Sequence, residues 1–247
     1  VKLYGSSISC PICKHPTITP EDQEYIRCIS CGAIRTKYHY DSTIYREDYA
    51  ETYLRYATNP QVNTPLNLSR LGVVSRWLRP GQTLLDIGCC IGEFLRFAEQ
   101  HYNCVGFEPN QIAAGLARQR IQSKVIEMLD SDVKAHIITM FDVLEHLEDP
   151  LESLKSSLRA CLTGGGVLIL VTPNVSVVPL WEDAQLRAWK HWKAKEHLWL
   201  WTEPSLGILA EKLGLRVLYR GREESDIRPG NERGDIITFA MGKGESR

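Results

Sequence analysis

LLDIGCCIGEFL, residues 84–95, decides how this chain is read. An apolar run ends on Asp86, Gly88 and Gly92 bracket Cys89 and Cys90, and a helical pattern follows through Phe94, Leu95 and Ala98. Strand, glycine turn and helix N-terminus together bring free backbone amides close to a bound phosphate or nucleoside. A turn of this kind ordinarily has glycine where Cys90 stands. The departure matters if that residue must take a positive φ, or if a ligand packs against its α-carbon. Strain of that sort costs on the order of 1–3 kcal/mol.

Working outward, the hydrophobic period keeps switching. CVGFEP (104–109) reads as a second strand, with Asn110 capping a helix that carries Ile112, Ala113 and Leu116. KVIE (124–127) and HIITMF (136–141) are a third and fourth strand, and Asp149-Pro150 opens a helix with Leu151, Leu154 and Leu158 on one face. Gly164, Gly165 and Gly166 break it before VLILVT (167–172), a strand of the continuous, fully buried type. A helix from Thr202 to Leu213 stops at Gly214, and LRVLYRG and DIITFAMG follow as two late strands with no helix between them. Upstream, Thr64 is the expected cap of a helix with Pro65 at its first position, carrying Leu71, Val74 and Leu78. The alternation predicts a Rossmann-like, doubly wound α/β fold with a mostly parallel seven-stranded sheet and an antiparallel edge strand. Ligands of such sheets bind beyond the carboxyl ends of the strands, so loops 86–92, 108–110 and 140–149 are the informative ones.

The chain has 247 residues, 43% of them hydrophobic, and a formal net charge of −1. That balance suits a globular protein with one large core and gives no global electrostatic footprint for nucleic acid. No stretch approaches the ~20 apolar residues of a membrane span, and the opening VKLYGSSIS has no apolar core of the signal-peptide kind. Cys10, Cys13, Cys28 and Cys31 form CPIC and CISC with fourteen residues between them. Two such turns aim four thiolates at one point, which suits structural zinc and leaves no open position for catalysis. Disulfides or free thiols are the alternative. Cys89, Cys90, Cys104 and Cys161 lack partner spacing, which points to a reducing, cytoplasmic compartment.

The expected division is a zinc-ribbon-like module over 1–40, a helical cap and linker over 41–80, and the α/β domain over 81–247, with an acceptor-side insertion over 175–201. Tyr45, Tyr49, Tyr53 and Tyr56 recur at helical steps, either as a core-facing stripe or as a lid. Residues 181–201 hold five of the six tryptophans, with Lys190, Lys193 and Lys195 interleaved. They read equally as an aromatic lid over a ring-shaped ligand, or as a helix packing on the sheet edge or on a homodimer partner.

Glu108 stands 22 residues after Asp86, a spacing suited to gripping both ribose hydroxyls of a nucleoside. LLDIGCCIGEFL, VGFEPN, ITMFDVLEHLEDP and VLILVTPN, in that order, resemble the class I S-adenosylmethionine-dependent methyltransferases over roughly residues 66–242. LEHLEDP and EHLWLWTEPSL are most similar to the small-molecule branch, the quinone-type O-methyltransferases and the sugar or natural-product enzymes. Several sugar C-methyltransferases also have a four-cysteine zinc module in front. The resemblance implies that Asp86, Gly88, Cys89 and Gly92 line the methionine end of the cofactor. It implies that Glu108 holds the ribose, with Pro109 and Asn110 beside the adenine and Asp130 as the acid across from them. Met140, Phe141 and Asp142 would face the sulfonium or the substrate mouth.

Methyl transfer to a hydroxyl needs alignment and a base, for which histidine is the default near neutral pH. His146 after Glu145 and His197 after Glu196 are the candidates. In the zinc-bearing sugar C-methyltransferases a Glu-His pair before an aromatic run resembles KEHLWLW, with a Tyr two residues before the Glu. Here that position is Ala194, which puts the same reaction in doubt. Asp142, Glu145 and His146 also resemble a magnesium cluster of some quinone O-methyltransferases. The expected activity is methyl transfer to a small-molecule hydroxyl, on a sugar, quinone or secondary metabolite. An RNA methyltransferase using the zinc module to hold nucleic acid, and a non-catalytic binding subunit, are the competing readings.

Overall fold

In the computed structural model, residues 4–22, 24–45, 54, 59–129, 132–179, 182–228, 230 and 234–243 are described. LLDIGCCIGEFL supplies an interior strand of a seven-stranded sheet, the turn after it and the start of a helix. That sheet is built from β5 (Thr83–Ile87), β6 (Asn103–Phe107), β7 (Lys124–Ile126), β8 (Ala135–Phe141), β9 (Leu162–Pro173), β11 (Arg216–Gly221) and β12 (Ile236–Gly242), in the order β11-β12-β9-β8-β5-β6-β7. β5 pairs in parallel with β6 on one side and β8 on the other, so chain order reverses across it. β12 runs antiparallel to both β9 and β11, making the edge hairpin expected from the two late strands. A short helix, Glu223–Ile227, sits between those strands where none was expected. Five residues are too few for a readable period.

Alternation along the strands divides the core between two faces. Leu85, Ile87, Ile138, Met140, Leu168 and Leu170 point into one cluster, while Leu84, Ile137, Phe141, Val167, Ile169 and Val171 point into the other. Helix caps fall where the sequence put them at Asn110, whose Oδ1 accepts from Ile112 and Ala113, at Asp149, and at Thr202. The helix before β5 differs. It spans Pro60–Val74, with Asn59 as cap and Pro60 at the first position, so the Thr64-Pro65 signal lies inside it. Asn59-Pro60 carries the same cap-then-proline chemistry as Thr64-Pro65, earlier in the chain, and it is the pair that starts the helix.

The second sheet is antiparallel, ordered β1-β2-β3-β4-β10, from β1 (Tyr4–Ser9), β2 (Pro16–Thr19), β3 (Tyr25–Cys28), β4 (Ile34–Thr36) and β10 (Trp199–Leu200). β10 pairs with β4, so the cysteine-bearing sheet is completed by a strand more than 160 residues away in sequence. Thr202 Oγ1 donates to the carbonyl of Cys31, and Arg27 donates to the carbonyls of Val178 and Pro179 at 3.0 and 3.1 Å. Trp189 and Trp192 pack with Tyr25, Ile34 and Leu200, so their rings face the N-terminal sheet. Lys190 and Lys193 line a cavity instead. Trp181 and the tyrosines at 49, 53 and 56 lie outside the described residues, and Tyr45 closes a 3-10 turn over Ser42–Tyr45. No helix among the described residues is long and apolar enough to cross a membrane.

Trp201 is fully buried, stacks on Trp199 with ring centroids 5.3 Å apart, and forms a bridge with Asn174 at the end of β9. It therefore joins the two sheets. Trp201→Ala should cost about 3–5 kcal/mol in denaturant unfolding, the range for deleting a buried large aromatic.

Candidate active site

The carboxyl ends of β5, β6, β8 and β9 open on one cavity of about 1070 Å³. Gly88, Cys90, Glu108, Pro109 and Asn110 line it, as do Phe141, Asp142, Glu145, His146, Glu196 and His197. Cys90 takes φ +49°, the left-handed conformation that favours glycine, between Gly88 at +74° and Gly92 at +78°. The turn is nevertheless held, because the Cys90 amide donates to Glu108 Oε2 at 2.9 Å. The Asn110 amide donates to Glu108 Oε1, also at 2.9 Å. Each carboxylate oxygen thus accepts one main-chain hydrogen and keeps a second lone pair for a ligand. Burial pushes the Glu108 carboxyl up, and the two amides pull against it. A Cβ on Gly88 would sit 2.4 Å from Val143 Cγ2, so glycine is required there by space as well as by φ.

Several expected residues lie elsewhere. Cys89 is 6% exposed and packs in the core, its Sγ against Gly106, where an added Cβ would come within 2.6 Å. Met140 is buried in the opposite core face, because it alternates with Phe141 along β8. Asp86 does not line the cavity. It accepts from Thr139 Oγ1 at 2.6 Å, and burial pushes its carboxyl up to about 7. Gly92 caps the helix Glu93–Ala98 and is also outside the lining. Asp130 lies outside the described residues.

Asp142 has φ +58° and is tied to two arginines. Arg228 Nη1 and Nη2 donate to it at 2.9 and 2.8 Å, and Arg70 Nη2 at 3.1 Å. The same guanidiniums bind Glu224, with Arg70 Nε at 2.8 Å and Arg228 Nε at 2.9 Å. Burial opposes ionisation of Asp142, but Arg228 and Arg70 outweigh it and hold the carboxyl at about 2. With both oxygens so committed, Asp142 does not fit the magnesium cluster implied by the resemblance. Nothing in the REESDIRPG stretch signals this network, since its partners are 70 and 142, far away in sequence.

Glu145, His146 and His197 converge, one potential ligand atom of each lying within 4.8 Å of the others. His146 Nδ1 bonds the Glu196 carbonyl and His197 Nδ1 the His191 carbonyl, both at 2.9 Å. Carbonyls only accept, so Nδ1 carries the hydrogen and Nε2 the lone pair. Burial holds both imidazoles below the ordinary histidine range, His197 well below. Glu196 contributes its carbonyl to this arrangement, while its carboxylate is 3.4 Å from Lys193 Nζ. Burial, reinforced by the Asp142 charge, pushes the Glu145 carboxyl up to about 8.

The four N-terminal cysteines form a separate cluster, all four sulfurs within 4.8 Å. Cys10 and Cys31 sulfurs are 3.7 Å apart and those of Cys13 and Cys28 3.2 Å, too far for disulfides. Four sulfurs about 2.3 Å from a tetrahedral ion would be about 3.8 Å apart. The amides of Cys13, Ser30 and Cys31 point at Sγ atoms at 3.3–3.5 Å, as the knuckle of a thiolate site does.

A family model described as a methyltransferase domain matches residues 49–220. A search of curated proteins gives no match. Among solved structures, a SAM-dependent methyltransferase of Thermotoga maritima, described as a possible histamine N-methyltransferase, shares 22% identity with a TM-score of 0.56. That alignment covers 81% of this chain and 98% of that one. The magnesium protoporphyrin IX methyltransferase of Synechocystis, with bound S-adenosylhomocysteine, shares 15% over 82% and 100% of the two chains, with a TM-score of 0.59. The plantazolicin methyltransferase BpumL, also bound to S-adenosylhomocysteine, shares 14% over 81% and 92%, with a TM-score of 0.57.

Replacing Cys90 by glycine relieves a left-handed side-chain conformation at the cost of a more flexible unfolded chain. Cys90→Gly should therefore stabilise the protein by a net of about 0.5–1 kcal/mol in denaturant unfolding. Glu224→Gln should destabilise it by about 2–4 kcal/mol, because it leaves the buried Arg70 and the mostly shielded Arg228 guanidiniums facing one carboxylate. The turn, its paired acid and the sheet that presents them bear out the family match: the chain belongs to the methyltransferase-domain family and is an S-adenosylmethionine-dependent enzyme.

Proposed function

We propose that this enzyme methylates a hydroxyl of a small-molecule acceptor of the sugar, quinone or secondary-metabolite class. The observation that carries this reading is that Glu108 and the two carbonyl-anchored imidazoles line the same cavity. Bound S-adenosylmethionine supplies a methyl group on a positively charged sulfur, an electrophile that needs an aligned lone pair. The second lone pairs of the Glu108 carboxylate receive the ribose hydroxyls, and Phe107, Pro109 and Ala113 give the base an apolar wall. Gly88 and Cys90 bring main chain up to the methionine end.

His197 and His146 present Nε2 lone pairs to the acceptor, with Glu196 and His191 carbonyls fixing their tautomers. Both act as neutral imidazoles. Because burial lowers both pKa values, the neutral form persists below pH 6.5, and the acid limb of kcat/KM should fall below that value. An acid limb at or above pH 6.5 would contradict this assignment. His197→Asn should lower kcat by about 10²–10⁴-fold while leaving cofactor affinity within a few fold.

Cys10, Cys13, Cys28 and Cys31 hold a structural zinc ion in this reading, consistent with a reducing compartment. The module then buttresses the acceptor side: Arg35 and His39 pair with Glu148, and Tyr40 and Glu148 both line the cavity. Stripping zinc with a chelator should raise the acceptor KM more than the cofactor KM.

The near-neutral charge favours small acceptors over RNA. Labelled methyl transfer from S-adenosylmethionine to a panel of hydroxylated sugars, quinols and phenols, beside transfer and ribosomal RNA, tests this directly. Labelling of RNA alone would overturn it.

A further inference from the structure

We infer that Glu145, His146 and His197 form a second metal site in the cavity, for a divalent transition ion of the zinc, cobalt or iron kind. The three come from two separate segments, yet one ligand atom of each lies within 4.8 Å of those of the other two. Two independent features show that the cluster is built to hold a ligand.

Both imidazoles have Nδ1 fixed on a main-chain carbonyl at 2.9 Å. That arrangement sets the tautomer and orients Nε2, and it is how metal-bound histidines are usually held. The second feature is the carboxylate. Glu145 is 1% exposed, its Oε2 accepts from Thr172 Oγ1 at 2.9 Å, and its Oε1 is buried with no hydrogen-bond partner. A carboxylate oxygen stripped of water and left without a donor is costly, and a cation removes that cost.

Donor chemistry selects the ion. Two imidazole nitrogens and one carboxylate suit zinc, cobalt or iron, whereas magnesium prefers an octahedron of oxygens. Asp142, the acid that would make the set oxygen-rich, is held by Arg70 and Arg228. Bonds of about 2.0–2.2 Å place tetrahedral ligand atoms about 3.4 Å apart, and the three candidate atoms already lie within 4.8 Å of one another, so binding asks for only a small inward shift. Three protein ligands leave a position open.

This inference rests on the proposed methyl transfer to a hydroxyl in this cavity and deepens it; with the ion bound, the two imidazoles serve as its ligands in place of their role as proton acceptors. An acceptor hydroxyl in the open position becomes more acidic on the ion and gives its proton to solvent. The oxyanion then forms a bond to the methyl carbon as the carbon–sulfur bond breaks, leaving S-adenosylhomocysteine. The ion keeps its oxidation state throughout.

The test uses the full chain with its four-cysteine site already loaded with zinc, titrated with Co²⁺ and, in parallel, with S-adenosylhomocysteine. The expected result is one additional Co²⁺ per chain, with d–d absorption and no sulfur-to-cobalt charge-transfer band. His197→Asn should weaken Co²⁺ binding at least 100-fold. His197→Cys should retain binding and add the charge-transfer band, which a misfolded variant would not do. Wild-type protein that takes up no additional Co²⁺ while binding S-adenosylhomocysteine overturns the inference and leaves the proposed function standing. So does Co²⁺ uptake that His197→Asn leaves unchanged. Failure to bind S-adenosylhomocysteine counts against the proposed function instead, and the Co²⁺ result is read independently of it.

Discussion

The Glu108 carboxylate is the constraint on which the cofactor side depends. It ends β6, yet one oxygen takes the amide of Cys90 from the turn after β5 and the other takes the amide of Asn110. Two loops are thereby locked to one side chain, and the lone pairs left over face the cavity. The arrangement also explains how cysteine is tolerated in a left-handed position. The hydrogen bond from its amide to a buried carboxylate offsets strain that glycine would avoid, since bonds to charged groups are worth about 1.5–3 kcal/mol. Position 90 is thus a strained but anchored part of the turn.

On the acceptor side the organising element is the junction between the two sheets. β10 completes the cysteine-bearing sheet, and the residues on either side of it do different jobs. Upstream, His191, Glu196 and His197 reach the cavity, and downstream Trp201 and Thr202 bind the core and the Cys31 carbonyl. The cysteine-bearing sheet therefore helps to set where His191 and His197 stand. The quartet of Arg70, Asp142, Glu224 and Arg228, largely shielded from solvent, closes the same wall from the other direction, joining the helix Pro60–Val74 to the hairpin at the sheet edge.

What the sequence revealed follows from the range of the forces involved. Strand alternation, the caps at Asn110, Asp149 and Thr202, and the glycine turn are local, and each was readable in place. The place of Glu108 at the end of the second strand was readable because its spacing from Asp86 reflects one strand–helix–strand unit, whereas its bond to the Cys90 amide was not. Side-chain facing was harder. Met140 and Phe141 are neighbours, and only the register of β8 tells which one sees the cavity. Cys89 turns inward because Gly106 leaves room for its sulfur, a complementarity across two strands. The arginine–carboxylate quartet and the β4–β10 pairing join residues too distant for any spacing rule. The resemblance of Asp142 to a metal-cluster acid does not hold for that reason: the arginines that engage its oxygens, Arg70 and Arg228, are far from it in sequence.

The most direct measurement is calorimetric titration of S-adenosylhomocysteine into wild-type protein, Glu108→Ala and Glu108→Gln. Micromolar binding by the native chain is expected. Glu108→Ala should lose it almost entirely, by 100-fold or more, because the variant removes both the ribose acceptor and the clamp on the Cys90 turn. Glu108→Gln keeps one oxygen and should retain weak binding. Native-level affinity in Glu108→Ala would contradict the account, showing that the cofactor lies elsewhere or that the turn needs no clamp.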